Sequence, residues 1–343
     1  MTRRFAMLNK QVILTVRPEG IPQAGDFRIV ESPIPVIESG QILVRNLYLS
    51  VEPAMRGWVN AAANYAEPVP LGAVMRSFAT GRVMESHHPG FTPGDFVTGL
   101  FGWQEYAVVS ADSVIRTITD RDVPLSTSLG VLGLTGLTAY VGLLEIGRPR
   151  PGDTVVVSTA AGSVGSIVGQ IARLNGCRTV GIAGGPAKVA ICVDEFRFDA
   201  AVDYKIGDLD GRLAAACPAG VDVYFDNTAG GISDSVIRRL NIGARVVVCG
   251  TASIPTWDPP PLGPRIERAL LTKRASMQGF LAPDYEHKRP EALRFLSRCI
   301  REGSVRYREE ILEGLHEAPG AIARLYRGDN SGKLLVHLRE TEI

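Results

Sequence analysis

Between residues 154 and 302 the chain alternates two hydrophobic patterns. Short apolar runs, rich in β-branched residues and closed off by turn formers, stand at residues 154–158, 179–183, 200–204, 221–226, 245–250 and 276–281. Between most of them apolar residues return every three or four positions. An unbroken apolar run reads as a strand buried on both faces, and the wider spacing reads as an amphipathic helix. The first pair is the clearest. Thr154–Ser158 follows Pro151-Gly152-Asp153; Val164, Ile167, Val168, Ile171 and Leu174 then share one helical face before Gly176 offers a left-handed C-terminal residue. Such alternation predicts a doubly wound parallel sheet whose ligand lies past the carboxyl ends of the strands.

Upstream the pattern differs. Residues 11–16, 41–51, 79–83, 95–100 and 106–109 are short β-rich runs separated by Pro- and Gly-containing turns, and prolines at 33, 35, 53, 68 and 70 argue against long helices. This predicts a compact antiparallel barrel or sandwich. A helix is expected over residues 137–146 and another near 290–302. Two last short strands, 311–312 and 333–338, should return to the first domain, since the parallel sheet is complete without them. The expected domains are residues 1–131 with 303–343, and 132–302. A Pro-rich loop, residues 255–264, is long enough to serve as a functional lip.

Composition changes the picture little. The 343 residues are 45% hydrophobic and 21% charged, ordinary for a globular protein of two domains. Lys+Arg 37 against Asp+Glu 36 gives a net charge of +1, so neither nucleic acid nor a membrane surface is indicated as partner. The five cysteines are scattered and no signal peptide precedes them, which points to a reducing cytoplasm. The longest weakly charged run, residues 131–144, is too short to span a bilayer.

The candidate chemistry sits between the first predicted strand and helix of the parallel sheet. Ala160-Ala161-Gly162-Ser163-Val164-Gly165 is the dinucleotide pattern G-x-G-x-x-G with alanine in the first place. Gly162 would let backbone approach a pyrophosphate; Gly165 and Gly169 would let the helix lie close on the strand; Ser163 and Val164 open the helix whose N–H groups face the anion. About 20 residues further on, an NAD-selective site needs an acidic residue for the ribose hydroxyl. Here the next strand ends in Gly184-Gly185-Pro186-Ala187-Lys188, without a carboxylate and with a lysine that suits a 2′-phosphate. No Cys/His/Glu set has catalytic-zinc spacing and no nucleophile–base order stands out, so a metal is not expected.

Asn9-Lys10-Gln11, residues 45–56 (RNLYLSVEPAMR), 72–76 with Gly81-Arg82-Val83, 102–106 (GWQEY), 136–146 (GLTAYVGLLEI), the Gly162 loop, 181–188, 224–227 and Gly332-Lys333 follow one another in an order that spans nearly the whole chain. Together they resemble the zinc-free medium-chain dehydrogenase/reductases, in the prostaglandin reductase and alkenal double-bond reductase branch. The resemblance implies an α/β protein with a GroES-like β-rich catalytic domain plus a Rossmann doubly wound parallel sheet. It implies a homodimer and NADPH-dependent reduction of a carbon–carbon double bond conjugated to a ketone or aldehyde. The partner would be a small hydrophobic enone. It further implies that Tyr204 joins Lys188 at the 2′-phosphate. Asn227, Cys249, Gly250, Thr251, Ala252 and Ser253 (in a segment running to Pro255), Phe280, Leu281 and Asn330 would line the nicotinamide half.

Two departures concern the substrate. Ala54 stands where relatives carry a tyrosine, and Pro255 stands near the place of a second; one extra residue enters at 227–231. Ala54, Arg56, Trp58, Tyr65 and Trp257 are the expected pocket walls. Tyr65 and Trp257 are the catalytic candidates, with no general acid identified; Arg56 and Trp103 are not read as catalytic. The hydride chemistry belongs to the cofactor, so the protein must position the enone and stabilise its developing enolate. Two other readings stand beside this one: an NADPH quinone oxidoreductase, and a non-catalytic NADPH-binding sensor or structural protein.

Overall fold

A computed structural model describes residues 8–61, 65–120, 122–254, 257 and 259–339. The chain divides into two compact units, Met1–Leu129 with Glu309–Ile343, and Gly130–Arg308.

The first unit opens with β1 (Leu8–Leu14) and β2 (Phe27–Pro33), an antiparallel pair. Its larger sheet is organised around β3 (Gln41–Ser50). After β3 comes a single helical turn, α1 (Met55–Trp58), and then β4 (Ala79–Ser86), β5 (Phe96–Gly99), β6 (Tyr106–Ser110) and β7 (Val114–Thr117). Both β4 and β6 pair antiparallel with β3, while β5 and β7 extend the sheet beyond β4. Register shifts at Leu43/Val44 and Asn46/Tyr48 bend β3 so that it can serve several partners along its length. The core beneath contains Trp103, Phe101, Met55, Leu14 and Leu49, none more than 1% exposed.

The second unit runs α2 (Leu134–Val141), β8 (Thr154–Ser158), α3 (Ser163–Leu174), β9 (Arg178–Ala183), α4 (Pro186–Ala190), β10 (Ala200–Asp203), α5 (Leu209–Ala216), β11 (Val221–Asp226), α6 (Gly230–Ile237), β12 (Leu240–Val248), α7 (Glu267–Lys273), β13 (Ser276–Gly279) and α8 (Arg289–Arg301). Every pairing in its sheet is parallel, in the order β10-β9-β8-β11-β12-β13. Renumbered from β8, this is the 3-2-1-4-5-6 order of a dinucleotide-binding sheet, and the direction of winding reverses between β8 and β11. The chain then returns to the first unit: β14 (Glu309–Glu313), α9 (Ala318–Arg327) and β15 (Lys333–His337), with β15 antiparallel to β3 and parallel to β14.

Several expectations shift. The helix expected over 137–146 begins earlier, at Leu134, and after Val141 widens into a π-helical stretch, Gly142–Gly147. The rings of Phe225 and Phe280 press on its backbone there, so that a Cβ on Gly142 would lie 2.7 and 2.6 Å from them. The expected domain boundary at 303 falls instead at 309. Residues 304–308 stay with the second unit because Val305 is buried, Gln170 exchanges two hydrogen bonds with the Arg306 backbone, and Arg308 pairs with Glu195 at 2.7 Å. The other boundary moves from 131 to 129. Val131 precedes α2 and lies in the second unit, where Gly136 leaves room for its carbonyl oxygen.

Candidate functional site

The carboxyl end of β8 is shaped by backbone. Thr159 follows the strand with φ of 54°, and the Gly162 N–H returns to its carbonyl at 2.9 Å. Gly162 then serves as N-cap of α3 without any side chain capping the helix. A Cβ on Gly165 would lie 2.4 Å from the Thr159 carbonyl oxygen, which only glycine avoids; one on Gly162 would meet Thr159 Cγ2 at 2.9 Å. Alanine in the first place of the motif fits because Gly181, on the neighbouring strand, leaves room: a Cβ there would meet the Ala160 Cβ at 2.8 Å. Gly169 works differently from expectation. Its open face is filled by the Phe198 ring, 1.9 Å from where a Cβ would stand, rather than by β8. A tight turn, an uncapped helix N-terminus and glycines that let backbone come close fit a dinucleotide pyrophosphate.

At the end of β9 the chain turns through Gly184 and Gly185, the latter with φ of 93°. Tyr204 and Lys205 close over Gly184, so that a Cβ there would meet them at 2.9 and 3.0 Å. Lys188 lies in the short helix α4 that follows. A carboxylate is nevertheless present, contrary to the reading of residues 184–188 alone. Asp203, at the end of β10, accepts the Gly185 and Lys205 N–H groups at 2.9 Å each. Those two bonds hold its carboxyl below the usual carboxylate range. The oxygen therefore braces the loop. Sequence reasoning passed over both Asp203 and Lys205, although Asp203-Tyr204-Lys205 at a strand end was visible.

The switch between β8 and β11 is stapled by Asn227. Its backbone N–H donates to Ser158 Oγ at 2.8 Å and its carboxamide to the Ser158 carbonyl at 2.7 Å. Beneath it lies Asp226, 3% exposed, which accepts from Tyr224 Oη, the N–H groups of Thr228 and Ala229, and Ser233 Oγ. Burial, then the Asp226 charge, push the Tyr224 phenol far above its ordinary value. Within this loop Ala229 is held at φ 59° and ψ −164°. Cys249 and Gly250 donate to the Asp226 carbonyl, Ala252 to Asn227, and Ser253 to Thr228, so residues 249–253 are laid along the loop after β11. Burial raises the Cys249 thiol to about 12. Phe280 packs edge-on against Phe225 and Tyr285, and Leu281 is exposed.

The other expected residues lie in the first unit, apart from Trp257. Asn330 belongs to that unit and donates to the Gly332 carbonyl at 3.0 Å. Ala54 leads into α1; Arg56 stacks 4.5 Å from the ring centre of Tyr326, whose hydroxyl donates to the Pro53 carbonyl at 2.8 Å. Tyr326 carried no sequence signal. Trp58 is a core residue at 6% exposure, so it props the turn more than it lines anything. Tyr65 is 58% exposed. Burial pushes its phenol up, the Trp58 indole pulls it part of the way back, and Glu52 raises it again, so its proton is retained at neutral pH. Trp257 is an exposed residue of the second unit; Pro255 and most of its immediate neighbours lie outside the described residues. Trp103, by contrast, is wholly buried, its indole N–H on the Ser50 carbonyl at 3.1 Å. Among the described residues no group of three His, Cys, Asp or Glu side chains could hold a metal ion, and no helix is long and apolar enough to cross a membrane.

Two family models match the chain: "N-terminal domain of oxidoreductase" over residues 10–117 and "Zinc-binding dehydrogenase" over residues 163–298. The chain is 41% identical over 335 residues to the NADPH-dependent curcumin reductase of Escherichia coli K12, covering 96% of this chain and 97% of that protein. It is 39% identical over 333 residues to a 2-alkenal reductase (NADP(+)-dependent) of Nicotiana tabacum, covering 96% and 97%. The crystal structure of CurA from Vibrio vulnificus in complex with NADPH superposes with a TM-score of 0.91 at 40% identity, over 97% of this chain and all of that one.

Proposed function

We propose that this chain, which belongs to the zinc-free branch of the medium-chain dehydrogenase/reductases, is an NADPH-dependent reductase of carbon–carbon double bonds conjugated to a ketone or aldehyde. One observation carries the cofactor half: a glycine turn opening an uncapped helix at the switch point of a 3-2-1-4-5-6 parallel sheet, followed by a strand end where Tyr204 and Lys205 close over Gly184, Lys188 follows in α4, and the Asp203 carboxylate is engaged by backbone. Bound there, NADPH supplies a hydride to the substrate β-carbon.

The chain's own work is to bind and orient. The N–H groups opening α3 take the pyrophosphate, and Lys188, Tyr204 and Lys205 take the 2′-phosphate. Asn227, Cys249, Gly250, Thr251, Ala252, Ser253, Phe280, Leu281 and Asn330 line the nicotinamide side. The Cys249 thiol stays protonated and unreactive at neutral pH, which keeps a nucleophile away from an electrophilic enone. Ala54, Arg56, Tyr65 and Trp257 bound the substrate. With alanine at 54 the wall is small, which favours a bulky apolar enone over a short alkenal. The enolate oxygen is bonded by the ribose hydroxyl, a backbone N–H or water, and water protonates the α-carbon.

NADPH oxidation followed with enals, bulky enones and quinones tests this reading; turnover of quinones alone overturns it. Tyr65→Phe should lower turnover of a bulky enone by less than roughly 10-fold, because a lost oxyanion donor costs roughly 100-fold or more. Abolished turnover would make Tyr65 the donor. Ala54→Tyr should slow the bulky substrate.

The assembly is read as a homodimer in the cytoplasm. Support for the dimer comes from β13, an edge strand of the parallel sheet with Ser276, Gln278 and Gly279 exposed, and from Leu271 at 77% and Ile242 at 66% exposure. All five cysteines are free, as a reducing compartment would keep them.

A further inference from the structure

Beneath the turn that carries Ala54, Arg56 and Trp58 lies a charged cluster that the chemistry above does not use. Lys333, on β15, is 4% exposed, and Glu52, just past the end of β3, is 6% exposed. The Lys333 ammonium donates to Ser50 Oγ at 2.6 Å, to the Val51 carbonyl at 3.2 Å and to Glu52 Oε1 at 3.3 Å. Ser50 Oγ in turn donates to Glu52 Oε1 at 2.8 Å. Three acceptors thus face an ammonium with three protons. From below, the Ser50 carbonyl is gripped by Ser77 Oγ and the Trp103 indole at 2.8 and 3.1 Å. Glu309, on β14 and paired in register with Lys333, accepts the Ser126 hydroxyl at 2.6 Å with one carboxyl oxygen, while its other oxygen is buried with no hydrogen-bond partner among the described residues.

The turn grows directly out of this cluster. Glu52 O accepts the Met55 N–H at 3.1 Å, Pro53 O the Arg56 N–H at 3.2 Å, and Ala54 O the N–H groups of Gly57 and Trp58. A second fastening reaches Pro53 from Tyr326. Both β15 and α9 belong to the leg of the chain that returns after the whole second unit. A buried ion pair adds little net stability compared with apolar residues of the same volume, but it tolerates few geometries, so a turn rooted in one is held to a single position.

We propose that Lys333 and Glu52 are positioning residues: a buried ionic anchor, linked through Ser50, by which the returning C-terminal leg fixes the substrate-facing turn at residues 53–58. Neither touches substrate. The proposal rests on the reading of Ala54 and Arg56 as substrate walls, and its test has one arm independent of that reading.

Lys333→Met and Glu52→Leu are made singly and together, with Ser50→Ala as a milder probe that removes only the linking hydroxyl. Each single change leaves a buried charge unpaired and should destabilise the first unit; the double change removes both charges and should restore folding. In the double variant, backbone amide hydrogen exchange at residues 55–59 should quicken about 10-fold or more while the rest of β3 stays protected. The KM for a bulky enone should rise about 10-fold, with the NADPH dissociation constant unchanged. Ser50→Ala should move both readouts in the same direction, less far. A folded double variant with wild-type exchange and wild-type KM overturns the anchor. So does a rise in KM matched by an equal loss of NADPH affinity, which would mean general damage. If the wild-type protein reduces no enone, the assigned activity falls and exchange alone decides: faster exchange at 55–59 upholds the anchor, unchanged exchange overturns it. Should the double variant fail to fold, Ser50→Ala decides on the same two readouts.

Discussion

Two turns, each at the carboxyl end of a central strand, are built on opposite principles. After β8, residues 159–165 are shaped by backbone: one positive φ, a hydrogen bond from Gly162 to Thr159, and glycines that keep Cβ atoms out of the way. After β3, the carbonyls of Ser50, Val51 and Pro53 are held by side chains that arrive from residues 77, 103, 326 and 333. A backbone-built turn presents N–H groups to an anion common to every dinucleotide, so it has no need to vary. A side-chain-built turn can be moved or widened by changing one distant residue, which suits the wall of a pocket that must distinguish substrates.

The largest effect should come from adding one carbon to the backbone-built turn. In Gly165→Ala the new Cβ would sit 2.4 Å from the Thr159 carbonyl oxygen, so α3 must shift away from the turn. NADPH binding, measured by fluorescence titration, should weaken roughly 100-fold, about 2.7 kcal/mol. Near-normal binding would break the contrast, because it would mean that side chains define this turn as well.

Next in size is cofactor choice. Lys188→Ala should weaken NADPH by roughly 2 kcal/mol, tens-fold, and leave NADH nearly unchanged, because NADH has no 2′-phosphate to accept a charge-assisted bond from the lysine. Lys205→Ala should act in the same sense and less strongly. Equal dissociation constants for the two cofactors in the wild-type protein would refute the assignment.

The second unit should respond to alkali through its thiols. All five cysteines lie in the second unit. Burial raises Cys192, which is 0% exposed, to about 12, with Lys188 pulling the other way, and raises Cys177 and Cys217 to about 11. A raised folded value means that the unfolded chain gives up its proton first, near 9.0, so the stabilising contribution is complete below that pH. It is lost as pH climbs towards 11 and 12. Cys192 alone should cost on the order of 1 kcal/mol for each pH unit in that window. Thermal unfolding followed from pH 8 to pH 11, with Cys192→Ala as control, checks this: the variant should show the flatter profile.

The same contrast explains what could be read from residues alone. The parallel sheet and the glycine turn were legible because periodicity and glycine are dictated locally. The Asp203 brace was missed because one of its two partners, Gly185, lies past the end of the neighbouring strand, and Gly169 was misassigned because Phe198, 29 residues on, fills its face. β2 and β7 present no buried apolar face to stand out, since Phe27 is the only buried residue in the two strands. α9 was overlooked although Pro319 near its start and Gly328 just past its end, with φ of 74°, are ordinary helix punctuation. Nothing local marks Glu52, Lys333 or Tyr326, since their meaning lies in pairings almost 300 residues apart.

The smallest effect belongs to Ala229, where the second unit departs from its own principle. The loop after β11 holds this alanine at φ 59° and ψ −164°, a conformation that glycine adopts freely and other residues adopt at a cost of about 1–3 kcal/mol. The position is imposed from three sides: Asp226 accepts the Ala229 N–H at 2.9 Å, Ser253 Oγ donates to its carbonyl at 3.0 Å, and α6 begins at the next residue. Ala229→Gly relieves the strain but frees the unfolded chain by roughly 0.4–1 kcal/mol. The net expectation is a gain of about 1 kcal/mol, seen as a rise of a few degrees in Tm. NADPH affinity should not change, because the Asp226 bonds still fix the loop that carries Asn227. A variant that is more stable yet binds NADPH more weakly would mean that strain at Ala229 helps to aim Asn227, and the loop after β11 would then belong with the side-chain-dependent turn of the first unit.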